Sequence, residues 1–318
     1  MPIKTGQTMS RDSRTYQVGD ITVTRIDELT LNVFPLAMLY PGSDPATLGR
    51  HKDKLGSGVV DAENGNLILS THSWLLKTPH HAILIDTATG NDKARPYAPI
   101  FDQLKVPYLD RLAAGGVQPD DIDLVVFTHL HADHVGWNTS LVDGRWVPTF
   151  RNAKHVFSKL EQSYNEKLAE GRKPAEAGAP AKLGAAVGQP FPGVFDDSVR
   201  PVIEAGLCQA IAIDGSEIAD GLSLLPSPGH SVDHASIRLV SRGEEALFSG
   251  DVMHHPLQVY EPGLNSCFCE FPEAALRSRA WALEHAAEHK AKVFTTHFVE
   301  SSVGSIERKG DNFAWRFI

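Results

Sequence analysis

Apolar and polar side chains alternate through residues 16–34 on either side of a Gly19-Asp20 turn, which predicts an antiparallel hairpin opening a sheet. Residues 67–76 and 82–85 read as further strands, the second ending at Asp86. Over residues 101–114 the period lengthens. Leu104, Tyr108, Leu109 and Leu112 share one face of a helix that Gly115-Gly116 would stop. Leu124-Val125-Val126-Phe127 is a continuous apolar run, the pattern of a strand covered on both faces. Residues 145–157 predict strand and 158–169 helix; 222–225, 235–240 and 246–249 predict a second set of strands. Residues 272–289 form a helix with Ala, Leu and Trp spaced for burial, and 293–296 a last buried strand ending at His297. Strands and then helices, twice over, predict two similar halves whose sheets pack face to face with helices outside, an α/β fold of α+β character.

One stretch breaks the pattern. Residues 171–193 shift to Ala, Gly, Pro and Lys, as expected of a surface excursion framing a site. A linker is the weaker reading, because strands on both sides end in metal-binding side chains. The chain of 318 residues, 42% apolar, is therefore expected to form a single domain over 1–318. Its net charge of −9 argues against a nucleic-acid partner. Cys208, Cys267 and Cys269 are too few for a disulfide framework, and Cys267-Phe268-Cys269 reads as two ordinary thiols. Residues 1–20 lack the apolar stretch of a secretory signal, and no segment approaches the roughly 20 apolar residues of a membrane span. A cytoplasmic protein without membrane contact is expected.

The chemistry concentrates in His129-Leu130-His131-Ala132-Asp133-His134, directly after the buried strand. Burying an aspartate beside three histidines without a cation would force desolvation and shifted protonation states, whereas a divalent cation satisfies all four. If the segment turns from loop into short helix, His129 and His131 point one way while Asp133 and His134 swing toward an adjacent position. Three more candidates sit at strand ends: His230 after Pro228-Gly229, Asp251 after Gly250, and His297. Five histidines and two aspartates are nitrogen and oxygen donors suited to zinc or a neighbouring first-row metal, and seven exceed what one zinc requires.

With the Ile85-Asp86-Thr87 strand end, these residues resemble the metallo-β-lactamase superfamily over about residues 67–297, and the set as a whole is specific. The resemblance implies an αββα sandwich holding two divalent ions, zinc first, with manganese, cobalt or iron as alternatives. It assigns His129, His131 and His230 to one ion, Asp133, His134 and His297 to the other, and Asp251 as a bridge shared with a hydroxide. Asp86 would support the loop. The spacing from His230 through Asp251 to His297 is closest to the acyl-homoserine lactonase and methyl parathion hydrolase branch. His254 stands where the lactonases carry a tyrosine, Trp137 replaces a frequent second glycine, and Ala88 interrupts an Asp-Thr-Gly run.

The function so implied is hydrolysis of a lactone or carboxylic ester, a small molecule, by attack of the bridging hydroxide. Asp133, Asp251 and His254 are the catalytic candidates, His254 as electrophile or proton donor. A phosphotriester hydrolase of the methyl parathion type is the alternative. β-Lactam hydrolysis, thioester hydrolysis, an iron redox enzyme and a non-catalytic binding descendant rank lower; the last usually loses ligands, and here all seven positions are filled. The branch also suggests a homodimer, with the N-terminal segment packed across it. His285 and His289, one helical turn apart, read as a solvated face, His80, His81 and His255 as bystanders, and His72 and His234 as neighbours of the site. Phe34, Tyr40, Trp137 and the aromatic residues of 191–195 are candidate apolar walls around the substrate.

Overall fold

The computed structural model describes residues 14–318. The N-terminal segment expected at a dimer interface lies outside them up to residue 13. Five strands begin the first sheet: β1 (Thr15–Val18), β2 (Ile21–Phe34), β3 (Leu67–Lys77), β4 (Ala82–Ile85) and β5 (Leu124–Val126). A two-stranded ribbon, β6 (Thr139–Val142) and β7 (Arg145–Pro148), leaves the sheet before β8 (Lys154–Ser158) and β9 (Cys208–Ile211) complete it. The order is β1-β2-β3-β4-β5-β8-β9, antiparallel as far as β4 and parallel from β4 to β9. The second sheet runs β10 (Glu217–Ala219), β11 (Leu222–Pro226), β12 (Ala235–Ser241), β13 (Glu244–Phe248), β14 (Lys292–Phe294), β15 (Val303–Lys309) and β16 (Asn312–Phe317), in chain order. Only β13 and β14 are parallel within it.

Alternation along the buried strands builds the layers. Ile83, Ile85, Leu124 and Val126 of the first sheet meet Leu224, Ile237, Phe248 and Phe294 of the second in one core between the sheets. Their neighbours Leu84 and Val125 point the other way, onto Tyr108 and Leu112 of the helix Tyr108–Ala114. Leu247 and Val293 likewise pack against Ala282, Leu283 and Ala286 of the helix Pro272–His289. Two mixed sheets thus face each other with helices on the outer faces, as the periodicities predict.

Several boundaries differ from expectation for local reasons. The helix expected over 101–114 starts only at Tyr108, because Pro107 fixes φ and disfavours helix in the residue before it. Residues 145–157 are not one strand: β7 pairs with β6, and a turn over 149–153 separates it from β8, which pairs with β5. The helix over 159–169 begins as expected, its Ser158 hydroxyl accepting the amides of Leu160 and Glu161. The C-terminal hairpin of β15 and β16 went unpredicted. Among the described residues no helix is long and apolar enough to cross a membrane.

Candidate metal centre

Asp86 organises the loop that follows β5. Held at φ 54 beyond β4, its carboxylate accepts the Thr128 amide (2.9 Å) and the Thr128 hydroxyl (2.8 Å). It also lies 2.9 Å from His134 Nδ1. The Thr128 hydroxyl spends its proton on Asp86, so at 3.0 Å it accepts from His129 Nδ1. After His131 the chain turns into the short helix Ala132–Val135, which places Asp133 and His134 beside the first two histidines.

Strand ends of the second sheet supply the rest. His230 follows β11, Asp251 follows β13 and His297 follows β14. Gly250 has φ 52, and a Cβ there would lie 2.4 Å from His234 Nε2. That nitrogen accepts the Asp251 amide at 2.9 Å, so a buried histidine fixes the aspartate's main chain from behind. Burial holds His234 down to about 3, neutral as an acceptor must be.

The hydrogen bonds behind each imidazole decide which nitrogen faces inward. His297 Nδ1 donates to the Ser70 carbonyl (2.9 Å) and His131 Nε2 to Glu270 (2.8 Å). Nε2 of His129, His134, His230 and His297, and Nδ1 of His131, therefore converge. His131 Nδ1 and His230 Nε2 are 2.8 Å apart. Asp251 Oδ2 lies 2.9 Å from His297 and 3.2 Å from His230, while its Oδ1 lies 3.2 Å from His134. Nε2 of His129 and His134 and Oδ1 of Asp251 are buried without a hydrogen-bond partner. Donor atoms of His129, His131 and His230 lie within 4.8 Å of one another, as do those of Asp133, His134 and His297, and those of His129, His134 and Asp251. His230, Asp251 and His254 form a fourth such group, and these overlapping sets of buried nitrogen and oxygen donors, some of them orphaned, fit divalent cations.

The electrostatics divide the donors: burial is outweighed by Glu270 at His131 and by the aspartates at His134 and His297, which are drawn toward imidazolium where a cation would supply the positive charge instead. Burial holds His129 and His230 well below the ordinary imidazole value, as neutral ligands require. At His134 and His297 burial is outweighed by Asp251 with Asp86 and Asp133, or by Asp251 with Asp133, and both are raised. At Asp251 burial is outweighed by His134, His297 and His230, and its carboxyl is pushed well down.

His254 joins the same cluster. Its Nε2 is 3.4 Å from Asp251 Oδ2, its ring stacks on His297 at 5.2 Å, and burial lowers its pKa. His72 backs the site through Thr295 O (2.8 Å), two residues before His297. His255 turns away to Val59 O, and His81 pairs with Asp220. His285 bonds Glu245, which Arg238 also holds, so a surface ion network accounts for that helix face. Sequence reasoning missed Glu270, and with it Tyr164 and Glu161 behind the metal loop. Burial, with Glu270 nearby, pushes Glu161 up to about 7. Glu270 lies 139 positions from His131, so no local spacing could have revealed it.

The centre opens into a cavity of about 320 Å³. Leu31, Phe34, Leu69, Phe101, Phe191 and Phe268 wall it, and Gly188, Gln189 and Pro190 of the excursion close one side; no described lining residue is Lys or Arg. Of the expected walls, Phe34 and Phe191 are present. Trp137 instead stacks on Tyr108 at 5.1 Å and donates to Glu28, Phe195 packs in the helix-side core, and Tyr40 is buried behind Gln258. Each is drawn into the core by a neighbour from a distant segment.

Facing sheets that end in a histidine and aspartate centre define an enzyme of the metallohydrolase class. A family model described as the metallo-beta-lactamase superfamily matches residues 68–297, and the chain belongs to that superfamily. The fold is similar to that of the hydrolase AbOPH in the beta lactamase superfamily, at 23% identity, 98% of this chain, 99% of that one and a TM-score of 0.77. It is also similar to AidC, a dizinc quorum-quenching lactonase, at 20% identity, 96% of each chain and a TM-score of 0.72. A probable metal-dependent hydrolase from Staphylococcus aureus matches at 20% identity, 95% of this chain, 99% of that one and a TM-score of 0.70.

Proposed function

We propose that this chain is a dinuclear metal-dependent hydrolase of an uncharged, apolar lactone or carboxylic ester. The observation that carries the reading is Asp251 between two groups of donors on the floor of a cavity with apolar walls. His129, His131 and His230 would hold one ion, Asp133, His134 and His297 the other, and Asp251 would contact both. When bound, such ions lower the pKa of water toward neutrality and polarise an ester oxygen. Zinc suits the donors best. The dizinc lactonase AidC, with the same fold, adds support.

The chain's own residues do the remainder. The apolar walls exclude water and seat the uncharged part of the substrate, and since no described lining residue is Lys or Arg, substrates with several carboxylates are disfavoured. Asp133, partly open to the cavity, would take a proton from the attacking water and pass it to the departing alkoxide, while Asp251, its carboxyl held well down, would stay anionic. His254, neutral and on the cavity wall, can donate a hydrogen bond to a substrate oxygen. A second reading, phosphotriester hydrolysis, is favoured by the same uncharged walls, since a phosphotriester carries no net charge.

The test is turnover of acyl-homoserine lactones, aryl esters and methyl parathion by zinc-, manganese- and cobalt-loaded protein beside Asp251→Ala. Metal-dependent ester or lactone turnover should dominate and fall at least about 10³-fold in the variant. Preferential phosphotriester turnover would install the second reading, and turnover unaffected by chelation would sink both.

A further inference from the structure

We propose that Glu270 is a positioning residue that fixes two donors of the His129, His131 and His230 group at once. This rests on the reading of that group as a metal site. Glu270 is 2% exposed, and His131 is its one ion-pair partner among the described residues. A buried carboxylate needs strong donors. Here one oxygen takes His131 Nε2 at 2.8 Å and the other takes the Tyr164 hydroxyl at 3.1 Å. With Nε2–H committed to Glu270, His131 has its Nδ1 lone pair free to face the cavity, and the anionic acceptor makes that nitrogen a better donor.

The main chain at the same position holds the second donor. The Glu270 amide donates to His230 O at 3.0 Å and the Phe271 amide to Gly229 O at 2.8 Å, so residues 270–271 clamp the turn carrying His230. The turn has no slack: Gly229 has φ 130, and a Cβ there would approach Ala275 N to 2.0 Å. Side chain and amide together set the 2.8 Å separation of His131 Nδ1 and His230 Nε2. The Glu270 carbonyl accepts the Val187 amide, which ties the clamp to the excursion that closes the cavity.

The test uses metal binding, not turnover. Full-length wild type, Glu270→Gln and Glu270→Ala are stripped and titrated with zinc against a chromogenic chelator, and the cobalt-loaded forms are compared by visible absorption. Wild type should take up two equivalents. Glu270→Ala should weaken one of them about 10–100-fold, Glu270→Gln should fall between, and both should shift the cobalt spectrum. If Glu270→Ala does not fold, the nearly isosteric Glu270→Gln decides alone. Wild-type affinity for both equivalents with an unchanged cobalt spectrum in Glu270→Gln would overturn the proposal and leave the metal centre standing. A wild-type protein that binds no zinc would overturn both.

Discussion

Asp251 is held from behind before it meets anything in the cavity. Its amide is bound by His234, its φ-constrained neighbour Gly250 admits no side chain, and its carboxylate reaches His134 on one oxygen and His230 and His297 on the other. His254 differs. Its amide is fixed by Gln258 at 2.7 Å, and Tyr40 holds Gln258 in turn, but neither ring nitrogen makes a well-aligned hydrogen bond, Nε2 standing 3.4 Å from Asp251 Oδ2. A buried imidazole placed this way is available to the substrate. His254→Ala should therefore keep full metal content, measured by elemental analysis, while kcat falls about 10²-fold. Lost metal would make it a ligand instead, and unchanged kcat would remove it from catalysis. At this scale the sequence was legible where candidate ligands cluster within six residues and opaque for Glu270, whose meaning depends on a partner 139 positions away.

Strands deliver the donors, and loops shape what reaches them. β4 and β5, and the last residues of β13 and β14, are buried on both faces, so they read as apolar runs, and the donors follow their ends. The excursion over 171–193 read only as a change of composition. Folded, it contains the short helix Pro174–Ala177, and residues 188–191 cover the centre. Phe191 packs there against the helix-side core and against the cluster that contains Phe34 and Phe101. Phe191→Ala should raise KM for long-chain or aryl substrates on the order of tenfold with kcat nearly unchanged, since burying such a ring contributes about 2 kcal/mol of uniform binding. Equal KM values across a chain-length series in both proteins would show that this wall does not touch the substrate.

Across the whole molecule, burial governs the pH response. His155, stacked on Phe127 in the helix-side layer, and His255 are each held by burial down to about 4. The unfolded chain takes up a proton at each below about 6.5, while the folded chain does so only near 4. Stability at these sites is thus complete above pH 6.5 and falls with pH through that window, by about 1.4 kcal/mol per unit for each histidine. Between pH 7 and 5, urea unfolding of metal-free His155→Phe should lose about 2 kcal/mol less than wild type. Equal losses would show that His155 is protonated in the folded state. Raised groups such as His134 act in the opposite sense in both proteins, so the comparison isolates one site.

The sequence by itself determined the alternation that separates inner from outer faces, the buried strands and the candidate metal-binding residues at their ends. Those are local properties, carried by spacing of two or 3.6 and by side-chain type. Only the tertiary structure decided that β11, β13 and β14 bring His230, Asp251 and His297 to the loop after β5, and that Trp137 and Tyr40 belong to the core. It also decided that Glu270 stands behind His131. These relations rest on hydrogen-bonding pairs 99 to 218 positions apart, and long-range packing, which no local pattern encodes, is what brings them together.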